Sequence, residues 1–142
     1  LPYLQQDRSA CNLDIQLDVS ITPEKGQATQ VSTSNFKYMY WSMAQQLAHH
    51  SINGCLIQAG DTMASGTISG KDKGSYGSML ELSWNGTEPI AMKGGGQRSF
   101  IEDGDTVTMT GHAEKAGLRI GFGEVSAKLL PAQPWNDLTT KK

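Results

Sequence analysis

Residues 11–21 read CNLDIQLDVSI. Leu13, Ile15, Leu17 and Val19 alternate with Asn12, Asp14, Gln16 and Asp18, and a period of two places the apolar set on one face of an extended chain. The stretch therefore predicts a half-buried β-strand. TPEKGQ (22–27) supplies the proline and glycine of a turn, and ATQVSTS (28–34) can return as a second strand.

The period then changes. Phe36, Met39, Tyr40, Met43 and Leu47 follow the i, i+3, i+4, i+7, i+11 spacing of an amphipathic helix, which is placed near residues 36–53. Ser34 or Asn35 can cap its start, and Asn53-Gly54 offers a left-handed stop. From Cys55 onward the text reads as short strands cut by turn dipeptides: Gly60-Asp61, Asn85-Gly86, Gly94-Gly95-Gly96, Gly104-Asp105 and Ala116-Gly117. Asn85-Gly86, between SMLELSW and TEPIAM, has the form of a two-residue hairpin turn. Val107 and Met109 oppose Thr106, Thr108 and Thr110, while Leu118, Ile120 and Phe122 share a face. The predicted class is mainly β (α+β): mostly antiparallel strands with one helix. Residues 1–132 form the domain, and PAQPWNDLTTKK ends in a polar tail over 133–142.

A chain of 142 residues can bury one core and is short for two. Twelve basic against 14 acidic residues leave a net charge of −2. Without clustered Lys and Arg, a nucleic-acid partner is disfavoured. Apolar runs stay below the roughly 20 residues that span a bilayer, so no membrane partner is expected. Cys11 and Cys55 read as reduced thiols, and the expected location is the cytoplasm. The chain opens on Leu1 in LPYLQQD, which reads as a piece of a longer protein.

Several chemical motifs lose to plainer readings. Adjacent side chains on a helix point about 100° apart, so His49-His50 is a last-turn pair rather than a metal clamp. GTISGKD lacks the spacing of a phosphate loop, and GFGEVS lacks the third glycine of a dinucleotide turn. Asn85-Gly86-Thr87 reads as a hairpin turn rather than a glycosylation acceptor. EDGDT (102–106) lacks the spaced oxygens of a calcium loop and reads as a solvated turn.

Two stretches remain. GDTMASGTISG (60–70) has strand-like Thr62, Thr67 and Ile68 but three glycines. Glycine inside an extended segment marks a close approach by another backbone or a ligand. In GSMLELSW (77–84), Leu80, Leu82 and Trp84 would share the apolar face of a strand. Glu81 would lie opposite them, at a mid-strand position where carboxylates are depleted. A solvent-facing carboxylate is the ordinary reading. The alternative is a ligand floor made by Glu81 and Thr67 together.

These stretches resemble a known family. SNFKYMYWSMAQQLAHHSINGC, GDTMASGTISG, GSMLELSWNGTEPI, DGDTVTMTG and RIGFGEVSAKLLPA look like the C-terminal part of the fumarylacetoacetase (fumarylacetoacetate hydrolase) catalytic domain. The likeness runs from LPYL at the start to about Ala132. It implies the family's mixed β-sandwich roll and its reaction, hydrolysis of a carbon–carbon bond of 4-fumarylacetoacetate to fumarate and acetoacetate, the last step of tyrosine breakdown. It implies a divalent cation (Ca2+ or Mg2+) that holds the diketo acid substrate, and a homodimer. It also implies a histidine that activates water and a glutamate that orients that histidine. Glu81 aligns with the glutamate, and Thr67 with a threonine that hydrogen-bonds the acetoacetate end.

The histidine, the cation's carboxylate ligands and the remaining site residues correspond to family sequence preceding Leu1, so no metal ligand is assigned in this chain. The isolated chain is accordingly expected to be inactive. The rival readings are an acylpyruvase or decarboxylase of the same superfamily, and a non-catalytic β-rich binding or assembly module.

Overall fold

The computed structural model describes residues 1–6 and 12–134. Six strands and two α-helices follow in the order β1 (Gln16–Thr22), β2 (Thr29–Asn35), α1 (Met43–Ser51), α2 (Met79–Leu82), β3 (Ile90–Ala91), β4 (Gln97–Arg98), β5 (Thr106–Lys115) and β6 (Leu118–Lys128). One antiparallel sheet has the order β2-β1-β5-β6, and β3 and β4 pair as a separate hairpin. The class is mainly β with, among the described residues, a single helix longer than two turns, as the alternation and the one helical stripe predict. Cys11 and residues 135–142, most of the expected tail, lie outside the described residues.

The alternation in β1 decides how the sheet is dressed. Leu17 sits opposite Gly111, Val19 opposite Met109, and Ile21 opposite Val107. Met109 and Val107 in turn face Val125 and Ala127 of β6. One face is therefore apolar. The other carries Asp18, Ser20, Thr108, Thr110, Glu124 and Ser126, where Gln30 and Thr33 donate to Asp18 at 2.8 and 3.0 Å. The β5–β6 ribbon turns at Ala116-Gly117, both at positive φ (52° and 80°), as a tight hairpin needs. Its register shifts between Thr110 and His112, and Gly123 at φ 80° takes up the extra residue. That bulge keeps Phe122 and Val125 on the apolar face despite their odd spacing.

A second layer, residues 68–82, covers one end of this apolar face. Ser32 and Ser34, on the same face, donate to the carbonyls of Tyr76 (2.7 Å) and Ile68 (3.0 Å). Side-chain hydroxyls therefore anchor the layer where a strand ladder would otherwise be needed. Ile21 is 1% exposed and Leu82 5% exposed in this region. Burying each contributes roughly 1.5–3 kcal/mol. The layer stops short of the far end, where Met109, Phe122, Val125, Ile120 and Leu118 stay exposed.

The helix begins later than the hydrophobic stripe indicates. Phe36–Tyr38 is a 3-10 turn capped by Asn35, whose side chain accepts from Lys37 N at 3.0 Å, and α1 starts only at Met43. A capping box sets that start. Gln45 N donates to Ser42 Oγ (3.2 Å), and Ser42 N donates to Gln45 Oε1 (3.0 Å). Gln45 is buried while Met43 and Leu47 are exposed, so the polar cap and not the apolar stripe anchors α1. Ser42→Ala is expected to cost about 1 kcal/mol, read as a lower urea midpoint at unchanged slope. His49 and His50 lie in the last turn of α1, and Tyr3 Oη sits 3.1 Å from His49 Nδ1.

Four further local expectations are overturned. No strand forms in 60–70, which runs as irregular chain. GSMLELSW is not a strand either, because Met79–Leu82 winds as one helical turn. Ser78 Oγ accepts from Glu81 N at 3.3 Å, and this Ser-x-x-Glu cap outweighs an alternation carried by only three side chains. Of those three, Leu82 is buried while Leu80 and Trp84 are exposed.

Asn85-Gly86 is likewise no hairpin turn. Trp84, Asn85 and Gly86 all have positive φ (48°, 55°, 85°) and end the helix, with Asn85 N donating to Leu80 O at 2.8 Å. The hairpin forms instead at β3–β4, around Gly94-Gly95-Gly96. EDGDT is a turn, but not a solvated one, because Asp105 is 0% exposed. Its two oxygens accept from Arg98 Nε (2.8 Å) and Nη2 (2.9 Å), and Glu102 N donates to Oδ2 at 3.0 Å.

Candidate functional site

The helical turn at 79–82 directs Glu81 back toward the 67–70 segment. Ser69 Oγ lies 2.9 Å from each of the two Glu81 carboxylate oxygens, and Ser78 Oγ donates to Oε2 at 2.8 Å. Gly77 N donates to Ser69 Oγ at 3.0 Å. The carboxylate is half-buried and held, neither loose in solvent nor sealed in the core.

Thr67 belongs to the same patch through Gly77. A Cβ added at Gly77 would meet Thr67 Cγ2 at 2.6 Å, Ile68 O at 2.7 Å and Ile68 N at 2.9 Å. The close approach signalled by the glycines is thus a contact of the chain with itself, at Gly70 against Ser75 and the Tyr38 ring and at Gly77 against Thr67 and Ile68. Gly66 serves another purpose. Its φ of 76° requires glycine, and open space surrounds it. Thr67 is exposed beside that opening. Exposed Thr67 and the tethered carboxylate are thus linked through Gly77, which packs against Thr67 and donates to Ser69.

Gly77→Ala is expected to destabilise by about 1–3 kcal/mol, because backbone must move to admit the methyl group. Gly66→Ala pays only the backbone cost of positive φ, roughly 1–2 kcal/mol. Urea unfolding of both variants, with the KM of any substrate that rests on Thr67, checks the pair. Only Gly77→Ala should disturb both.

Gly70 N donates to Ser75 O at 2.9 Å, so loop 70–75 closes on itself over a 3-10 turn, with Lys73 paired to Glu88. The charge of Lys73 is thereby spent on Glu88 and not on the site. Among the described residues no group of three or more His, Cys, Asp and Glu side chains could hold a metal ion. The described residues do not by themselves fit a divalent cation.

The sequence singles out Glu81 and Thr67 as candidates, and the structure adds Ser69 and Ser78 around the Glu81 carboxylate. Ser78 was within reach, since serine three residues before glutamate is a helix-start pattern. Ser69 carries no local signal.

Residues 4–129 match the family described as Fumarylacetoacetate (FAA) hydrolase C-terminal. The chain belongs to this hydrolase family. Fumarylacetoacetase of Homo sapiens is 53% identical over 133 residues, which cover 93% of this chain and 32% of that protein. The fumarylacetoacetases of Caenorhabditis elegans and Arabidopsis thaliana are 52% and 44% identical, over 92% and 94% of the chain. The chain thus spans about a third of the length of the fumarylacetoacetases it matches. Its GSMLELSW turn and SGTISG segment both fall inside the matched region.

Proposed function

We propose that the protein to which this chain belongs hydrolyses 4-fumarylacetoacetate to fumarate and acetoacetate, with Glu81 as the carboxylate that orients a water-activating histidine. The supporting observation is the fixed carboxylate: Glu81, gripped by Ser69 and Ser78 at 2.8–2.9 Å, with exposed Thr67 joined to it through Gly77 and Ser69.

Water is a weak nucleophile at neutral pH, so a positioned base must remove its proton as it attacks. An imidazole does this only if one ring nitrogen is free, and a carboxylate accepting from the other nitrogen fixes that tautomer and stabilises the imidazolium. Hydroxide adds to the ketone carbon next to the fumaryl double bond. The bond from that carbon to the neighbouring methylene then breaks. Its electron pair passes to the methylene carbon and spreads into the adjoining carbonyl, and a proton from the imidazolium completes acetoacetate. Thr67 Oγ1 is assigned to the acetoacetate end, where a hydroxyl donor meets developing negative charge.

A cation in the parent enzyme, Ca2+ or Mg2+, would draw its ligands from outside the described residues. A homodimeric assembly, a cytoplasmic location and a place in tyrosine breakdown belong to the same proposal. The chain's helices include none long and apolar enough to cross a membrane, among the described residues.

The deciding assay follows loss of the diketone absorbance with product analysis. The full-length protein should release equimolar fumarate and acetoacetate, and the isolated chain should release neither at a measurable rate. Release of carbon dioxide, or pyruvate from an acylpyruvate, would reassign the protein to a decarboxylase or acylpyruvase. No turnover of any diketo acid by the full-length protein would leave a binding or assembly module.

A further inference from the structure

The hydroxyls around Glu81 are more ordered than a cap requires, and their donor count fixes a direction. Ser69 Oγ has one proton. Gly77 N is a donor and points at that oxygen from 3.0 Å, so it must meet a lone pair. The Ser69 proton is therefore left for the carboxylate, whose two oxygens lie equally far at 2.9 Å. Ser78 works the same way. Glu81 N donates to its oxygen at 3.3 Å, which leaves its proton for Glu81 Oε2 at 2.8 Å. Oε2 thus receives a full bond from Ser78 and a share of the one from Ser69. Oε1 receives only the remaining share, although a carboxylate oxygen can accept two bonds.

We propose that Ser69 is a positioning residue that acts through Glu81: with Ser78 it locks the carboxylate so that Oε1 stands open as the acceptor for the imidazole N–H. The inference rests on the reading of Glu81 given above. Both serines are anchored by main-chain donors, Gly77 N and Glu81 N, so the lock is set before any substrate arrives. Preorganisation of this kind costs nothing at the moment of reaction, which is what makes an orienting group effective. It also gives GSMLELSW its helical turn a purpose, since a strand would turn Glu81 away from Ser78.

The test is a double-mutant cycle in the full-length protein with fumarylacetoacetate: Ser69→Ala, Glu81→Gln and the pair. Ser69→Ala should lower kcat about 10- to 100-fold, the loss expected on removing a hydrogen bond to a charged orienting group, with KM changed less than threefold. In the Glu81→Gln background, the same serine change should alter kcat less than twofold, because its only route to the chemistry is already gone. Ser69→Thr, which keeps the hydroxyl, should recover most of the activity.

If Ser69→Ala lowers kcat by the same factor in both backgrounds, or leaves it unchanged where Glu81→Gln is crippling, the positioning role is refuted while the Glu81 reading stands. If Glu81→Gln itself leaves kcat intact, the underlying reading falls, and the positioning role with it. Unfolding curves of the same variants separate loss of fold from loss of position. A kcat loss that tracks the folded fraction would count against the proposal.

Discussion

Glu81→Gln in the full-length protein is expected to lower kcat about 10³- to 10⁴-fold, with a much smaller change in KM. The amide keeps the size of the side chain but reverses half of its chemistry. One of its ends is a donor, and Ser69 and Ser78 already present donors to both carboxylate oxygens. The amide must then break at least one of those bonds or turn its NH2 toward the imidazole. Either outcome loses the acceptor that fixes the tautomer, and loss of that function in a triad costs about 10⁴-fold in kcat. Steady-state kinetics on the purified variant, with its unfolding midpoint measured alongside, checks the expectation. A kcat within a few-fold of the parent would remove Glu81 from the chemistry.

The largest expected effect on stability is at the turn that leads into β5. Asp105 is fully buried, and Arg98, with its side chain 16% exposed, meets it through two nitrogens. Arg98→Met leaves a buried carboxylate with only Glu102 N as a donor among the described residues. Removing one partner of a buried pair costs about 3–5 kcal/mol.

The pH dependence follows from the direction of the shift. Hydrogen bonding by Arg98 is the main influence that holds the Asp105 carboxyl below the ordinary carboxylate range, against the opposing effect of burial. A depressed value in the folded state means that the pair's stabilisation is fully present above the unfolded value, about 3.9, and is lost as pH falls through the folded value. In Arg98→Met the main cause of depression is gone, and burial, opposed only by the weaker bond from Glu102 N, raises the carboxyl. The stability gap between parent and variant should therefore be widest near pH 7 and narrow as the solution is taken toward pH 3. Urea unfolding at pH 7, 5 and 3 measures it. A gap that stays constant over this range would show that the pair does not set the stability of the 98–105 turn.

What could be read from the sequence was whatever lay in long periodic runs. Leu13 to Val19 predicted β1 because a period of two leaves little choice of face. Ala116-Gly117 predicted a turn, and it is the turn of the β5–β6 hairpin, where two successive positive φ angles favour small or amide residues. GSMLELSW misled because three apolar residues at even spacing fit a strand as well as a short helical turn, and a capping serine decides between them. Asn85-Gly86 misled for a related reason. Its left-handed angles end a helix as readily as they close a hairpin.

The candidate site was half legible. Glu81 and Thr67 stood out as misfits in their own segments. Ser69 joins the candidate site only through Gly77 and Glu81, contacts made between turns that no local pattern encodes. The burial of Asp105 was hidden in the same way, because its partner Arg98 sits across a turn that reads as polar.

The most direct test of the whole account is a crystal structure of the full-length protein with a diketo acid analogue that cannot be cleaved. The account predicts an imidazole nitrogen about 2.6–3.2 Å from Glu81 Oε1, with Ser69 and Ser78 still on the carboxylate and the analogue's acetoacetate end against Thr67 Oγ1. A structure in which the analogue binds productively while Glu81 stays closed on its two serines, with no imidazole in reach, would contradict it.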